Sequence, residues 1–378
     1  MKFTSKLPKV GTTIFTKMSA LAREYGAINL SQGFPDFEID KTLNDLLYKS
    51  SKEGFNQYAP MEGLPSLREK LSEKYRKLYN VDYSLDEITI TAGATQAIFT
   101  AIASIINKDD EVIIFTPAYD CYAPTVELFG GVCKYVSLKS PNFSIDWDFF
   151  DKQVSEKTKL VIINTPHNPT GSILSKSDLQ VLEQKAIRHN FLVISDEVYE
   201  HIIFDEEKHQ SVCLFPELKE RSFIVGSFGK TFHITGWKVG YCVAPQWMMK
   251  EFRKVHQFNV FCVNHPAQKA LSDYFELEKF TNLPTFYQQK RDYFLNLIDN
   301  PKLQFLDCKG TYFCVLDYSK ISNLNDIEFC EWMTKDKGLA SIPLSVFYND
   351  LKDEKLIRLC FAKQESTLQK AVKVLNML

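Results

Sequence analysis

Six short runs of apolar and β-branched residues punctuate the middle of the chain. They are "EITIT" (87–91), "EVIIFT" (111–116), "KLVIIN" (159–164), "FLVISD" (191–196), "RSFIVGS" (221–227) and "VGYCVA" (239–244). The runs are continuous rather than alternating, which is the pattern of strands buried on both faces, as in a parallel sheet. Segments with helical texture lie between most of them, such as "KSDLQVLEQKAIRHN" (176–190). Strand and helix in alternation predict an α/β layered region with functional residues at the C-terminal ends of the strands. The last two runs are joined by a single loop and are expected to pair differently from the rest.

After about residue 285 the texture changes. "FYQQKRDYFLNLIDN" (286–300) reads as a helix, "TYFCVLDY" (311–318) and "LIRLCFA" (356–362) as strands, and "ESTLQKAVKVLNML" (365–378) as a closing amphipathic helix. This α+β texture predicts a second, smaller domain over 286–378. Residues 1–45 carry too little β-run to join the central sheet and are expected to form an arm plus a piece of the smaller domain. The large domain then spans 46–285.

Composition narrows the function classes. The chain has 378 residues, 45% hydrophobic and 24% charged, with a net charge of −2. That is ordinary for a globular protein and argues against nucleic acid or an anionic membrane as the main partner. No stretch approaches the length of a membrane helix, and the N-terminus lacks the apolar core of a signal peptide, so a cytoplasmic location is expected. Nine cysteines, with no C-x-x-C pair, read as scattered reduced thiols. Seven histidines include no H-x-x-x-H spacing, so no metal site is expected.

Four polar features fall at or just after strand ends. In "TAGATQAIF" (91–99) a strand ends, a Gly-Ala-Thr turn follows and a helix begins; its first backbone N–H groups and the Thr95 hydroxyl can hold an anion. An ordinary strand–helix turn with Thr95 as N-cap fits the same residues. In "NTPHNPTG" (164–171) two prolines stiffen a turn and aim Asn168. In "SDEVYEH" (195–201) Asp196 lies where a buried strand ends, and a buried carboxylate needs a partner; as a lone aspartate it could equally cap the next segment. Tyr199 follows one turn on if the segment is helical. Finally, "SFGKTFHITGWKVGY" (227–241) sets Lys230 and Lys238 among small and aromatic residues rather than on a solvated face.

Together these features meet the needs of one cofactor, pyridoxal 5′-phosphate. Its aldehyde calls for a lysine amine, its ring nitrogen for an acid, its phenolic oxygen for neutral donors and its phosphate for a glycine turn with cations. With "NLSQGFPDF" (29–37), "NQYAPMEGLPSLRE" (56–69) and "IRLCFAK" (357–363) added, the chain resembles the fold-type I, class I/II aminotransferases along nearly its whole length. Within them it is most similar to the methionine aminotransferase and kynurenine–glutamine transaminase branch. The resemblance implies a large domain with a mostly parallel seven-stranded sheet between helices, a smaller α+β domain, and a homodimer with active sites at the subunit interface.

The resemblance also implies roles. Lys230 bonds to the cofactor aldehyde and, once freed by substrate, moves the proton between Cα and the cofactor. Asp196 pairs with the ring nitrogen, Asn168 and Tyr199 donate to the phenolic oxygen, and Tyr119 stacks on the ring. Gly93, Ala94, Thr95, Ser227 and Lys238 hold the phosphate. Many relatives carry arginine at the position of Lys238, so the grip here is that of a point charge without a fork. Tyr58 reaches the phosphate from the other subunit. Arg358, with the backbone of Gly33, binds the substrate carboxylate.

The implied reaction is a ping-pong transfer of an amino group from methionine, an aromatic amino acid, glutamine or kynurenine to a 2-oxo acid. A cysteine-S-conjugate β-lyase would use the same residues. A non-catalytic regulator on a borrowed fold is a third reading, against which stand the presence of Lys230, Asp196 and Arg358. Phe15, Tyr25, Phe34, Tyr58 and Tyr119 are aromatic candidates for the substrate pocket, although aromatic residues are more often core.

Overall fold

The computed structural model describes residues 4–378. Its largest sheet has seven strands in the spatial order Ile88–Thr91, Gly240–Val243, Ser222–Ser227, Leu192–Asp196, Thr158–Asn164, Glu111–Thr116, Val132–Ser137. The five strands from Ser222–Ser227 to Val132–Ser137 are mutually parallel, whereas Gly240–Val243 runs antiparallel to both of its neighbours. The different pairing expected of the last two runs is thus an antiparallel pair that closes on Ser227 opposite Gly240.

The apolar runs are continuous because each strand feeds two cores. Val112, Ile114, Leu160, Ile162 and Ile194 point to one face, while Ile113, Val161, Ile163 and Val193 point to the other. Helices Ala94–Ile105 and Gln246–Asn259 cover the first face through Ile98, Ile102, Met248 and Phe252. Helices Pro65–Tyr79 and Lys176–His189 contribute Leu67, Leu71, Leu179 and Leu182 to the core on the second. The seventh strand, "VCKYVS" at Val132–Ser137, carries no such run. It is an edge strand with only Val136 fully buried, so its sequence stays polar.

A four-stranded antiparallel sheet follows in the order Ile342–Pro343, Leu356–Cys360, Phe313–Asp317, Gln304–Phe305. The N-terminal segment is stitched to this part of the chain. Ile28–Asn29 pairs in parallel with Leu339–Ala340, and the Cys360 amide donates to the Leu30 carbonyl at 2.9 Å. Among the described residues no helix is long and apolar enough to cross a membrane.

Candidate active site

Every cofactor-site residue named from the sequence except Tyr58 lines one cavity at the C-terminal ends of the parallel strands. Each arrives by a local device. The strand Ile88–Thr91 ends in a turn at which Gly93, φ 80°, caps helix Ala94–Ile105. Thr95 therefore sits inside the first helical turn, and Gly93, not Thr95, is the N-cap. The first-turn amides of a helix have no partner within it and carry its positive end. Lys238 reaches over this turn so closely that a Cβ on Gly93 would lie 3.4 Å from its Nζ. An ammonium, the helix N-terminus and the Ser227 and Thr95 hydroxyls share this end of the cavity.

Asp196 closes the strand Leu192–Asp196 and is 4% exposed. The Tyr122 hydroxyl donates to its Oδ2 at 2.6 Å, and the Val198 amide to its Oδ1 at 3.3 Å. Burial pushes its carboxyl up to about 6, against the pull of Tyr122, Val198 and the Lys230 ammonium. The segment after it is a turn rather than a helix, with Glu200 N–H on the Glu197 carbonyl. Tyr199 is nonetheless carried inward, buried, with its ring edge-on to Tyr312 at 5.1 Å. The turn is pinned from behind by a buried ion pair. Lys74 bonds Glu200 and also donates to the Tyr241 hydroxyl at 2.8 Å, while Tyr241 and Tyr79 donate to Glu200 at 2.6 and 2.7 Å.

Asn164 holds the next piece. Its amide donates to the Asp196 carbonyl at 2.8 Å, and its oxygen accepts from the Asn168 amide N–H at 2.8 Å. The Asn168 side-chain oxygen is taken up by Arg358 Nη1 at 2.7 Å, which leaves its NH₂ to donate into the cavity. Arg358 is 1% exposed. Its Nη2 donates to the Ser31 carbonyl at 3.0 Å, its guanidinium lies 3.8 Å over the Phe313 ring, and its Nε has no partner among the described residues. Burial lowers its pKa. A buried guanidinium held by neutral groups is a receptor for an incoming carboxylate.

Lys230 stands on the short helical turn Phe228–Thr231. Its Nζ donates to the Tyr312 hydroxyl at 2.8 Å and the Gly33 carbonyl at 3.2 Å. Burial pulls its pKa down to about 8; the Cys360 thiol opposes this, and the Arg358 and Lys238 cations add to it. Gly33 enters the site through its carbonyl, and glycine is required there because a Cβ would meet Phe313 at 2.6 Å. Tyr119 lines the cavity beside Tyr122, ring centroids 5.9 Å apart.

Tyr58 is not brought to the cavity. It is 81% exposed and packs edge-on against Phe261 at 5.5 Å. Of the other aromatic candidates, Phe15 approaches Arg358 at 5.3 Å, while Tyr25 and Phe34 are exposed and outside the cavity lining. Sequence reasoning missed Tyr122, Asn164 and Tyr312. Asn164 was within sight as the strand-end residue of "NTPHNPTG"; the two tyrosines carry no local signal.

The donor set fits pyridoxal phosphate. A buried carboxylate suits a cationic ring nitrogen, an amine whose pKa burial lowers suits the aldehyde, and the glycine-capped helix start with Lys238 suits a phosphate. Residues 25–375 match the family model for "Aminotransferase class I and II". The chain is 52% identical to a methionine aminotransferase of Escherichia coli strain K12, covering 99% of this chain and 98% of that protein. It is 35% identical to kynurenine–oxoglutarate transaminase 3 of Rattus norvegicus, covering 99% and 89%. A crystal structure of an Escherichia coli protein with a methionine aminotransferase function superposes with a TM-score of 0.98 at 51% identity, covering 100% of both chains. A fold-type I architecture, a site built for pyridoxal phosphate and this likeness along the whole chain lead to one conclusion: the chain belongs to the class I and II aminotransferases, a family of pyridoxal phosphate-dependent transaminases.

Proposed function

We propose that this aminotransferase uses methionine as an amino donor, with aromatic amino acids, glutamine and kynurenine as further candidates, and passes the amino group to a 2-oxo acid. The observation that carries the reading is the enclosed Lys230 amine, in one cavity with Asp196 and the Gly93–Thr95 turn. The apolar surroundings of Arg358, with Phe15, Phe313 and Phe347 around its guanidinium, favour a substrate with an apolar or thioether side chain. The names of the relatives at 52% and 35% identity point the same way.

Bound pyridoxal phosphate supplies an electron-withdrawing ring that stabilises negative charge at the substrate Cα. The protein does the rest. Arg358 takes the α-carboxylate and fixes where Cα lies. Asp196 would hold a proton on the ring nitrogen, and Asn168 and Tyr199 would donate to the phenolic oxygen. Lys230 would anchor the cofactor through its aldehyde and, when free, would serve as the base that moves the proton at Cα; a pKa of about 8 keeps a useful fraction of its amine neutral at physiological pH. Ser227, Thr95, Lys238 and the first-turn amides would hold the phosphate, and Tyr119 would cover the ring. Tyr58, exposed in the single chain, completes the phosphate site of a second subunit in a cytoplasmic homodimer. The domain division at residues 45 and 285 belongs to the same proposal.

The test is the absorbance spectrum of purified protein before and after L-methionine, without any oxo acid. A yellow band that bleaches supports the reading. A yellow protein that does not respond to methionine refutes the substrate; a chain that pyridoxal phosphate cannot turn yellow refutes the site.

A further inference from the structure

We infer that Tyr312 is a positioning residue for Lys230, holding the freed amine for proton transfer at Cα. The inference rests on the proposed role of Lys230 and concerns a residue that role does not include. Tyr312 lies immediately before the strand Phe313–Asp317, in the C-terminal part of the chain, 82 residues from Lys230. Its hydroxyl accepts from Lys230 Nζ at 2.8 Å and donates to the Gly33 carbonyl at 2.6 Å, while Nζ also donates to that carbonyl at 3.2 Å. The three polar atoms form a closed triangle. Both acceptors lie on one side of the amine, so the remaining direction at the nitrogen is left for a reacting group.

The triangle is rigid at its tyrosine corner. The Tyr312 ring is fully buried and wedged among Tyr199, Phe313 and Tyr287, at centroid distances of 5.1, 4.9 and 5.7 Å. Burial holds its hydroxyl pKa far above the ordinary phenol value, so the hydroxyl keeps its proton and must donate. The Gly33 carbonyl accepts that hydrogen bond, which orients the tyrosine oxygen to accept from lysine.

The arrangement also sets register. Ser31 and Gly33 are two residues apart; the carbonyl of the first bonds Arg358 and the carbonyl of the second bonds Lys230 and Tyr312. One short stretch of backbone therefore fixes the carboxylate receptor and the proton carrier relative to each other. A misplaced amine slows proton transfer without weakening carboxylate binding.

Tyr312→Phe tests this, since it removes the hydroxyl and keeps the ring. With L-methionine and its α-deuterated form in a single half-reaction, proton transfer is expected to slow about tenfold, the order of one lost hydrogen bond. The deuterium isotope effect should rise, the KM for methionine should change less than about twofold, and the yellow band should persist. A crystal structure of the cofactor-free variant should show Lys230 Nζ moved from its wild-type position. An unchanged isotope effect with Nζ in place overturns the inference, as does a variant that merely loses folded protein. Lys230→Ala separates the two levels of the argument: if it still forms the covalent yellow adduct, the role of Lys230 itself is wrong.

Discussion

Replacing Lys74 by methionine should destabilise the fold by about 3 kcal/mol, although Lys74 is absent from the cavity lining. Lys74 and Glu200 are both almost fully buried, with side chains 0% and 4% exposed. Burial alone would raise the Glu200 pKa; the Lys74 cation, helped by His201, outweighs it and holds the carboxyl well below its ordinary value. Removing the cation leaves a buried carboxylate, and breaking such a pair costs about 3–5 kcal/mol. Tyr79 and Tyr241 still donate to that carboxylate, which places the cost at the lower end. With a urea dependence of roughly 3 kcal/mol per molar for a chain of this size, the unfolding midpoint should fall by about 1 M. Tryptophan fluorescence of the cofactor-free protein reads it. The double variant Lys74→Met/Glu200→Gln should recover most of the loss, because no charge is then stranded and the glutamine oxygen still accepts from a tyrosine. A single-variant midpoint within about 0.2 M of wild type, or a double variant as unstable as the sum of its parts, would refute the reasoning.

Lys230→Ala is expected to lose the covalent cofactor band and nearly all transamination, checked by absorbance and steady-state kinetics. Arg358→Ala should raise the KM for methionine about 100-fold, the order of a lost buried charge pair, while the yellow band stays; loss of the band would mark Arg358 as structural. Asp196→Asn should stabilise the cofactor-free chain, and more so at higher pH. The folded pKa is raised from 3.8 to about 6, so the stability linked to this carboxyl is fully present below 3.8 and lost as pH rises through about 6. Between pH 5 and 7.5 the advantage of the asparagine variant should grow by on the order of 1 kcal/mol, read from urea midpoints, whereas its cofactor should dissociate more readily.

The residues that announced themselves in the sequence did so through local backbone chemistry. Asp196 and Ser227 end uninterrupted apolar runs, Gly93 opens a helix, and Asn168 lies between two prolines, so strand ends and turns alone bring them to one rim. Val132–Ser137 escaped because an edge strand needs no apolar run. The Glu197–Glu200 segment shows a different limit. A helical turn and a tight turn place Tyr199 at a similar offset from Asp196, so its inward position was legible and its backbone was not. Tyr122 and Tyr312 were invisible for a third reason. Each acts through a contact across the fold, 74 residues from Asp196 and 82 from Lys230, and nothing near them in the chain marks them. Tyr58 lies on the surface, away from the cavity, so nothing within the chain brings it to the site the motif suggests.

The bond from Arg358 to the Ser31 carbonyl joins residues 327 positions apart. During synthesis, the half of the carboxylate receptor carried near the N-terminus waits for its other half until almost the whole chain has been made. The residues that line the cavity, by contrast, all lie between Gly93 and Val239. The two parts of the site therefore differ in their reach along the chain: the cavity lining is drawn from its middle, whereas the setting of Arg358 needs segments near both of its ends.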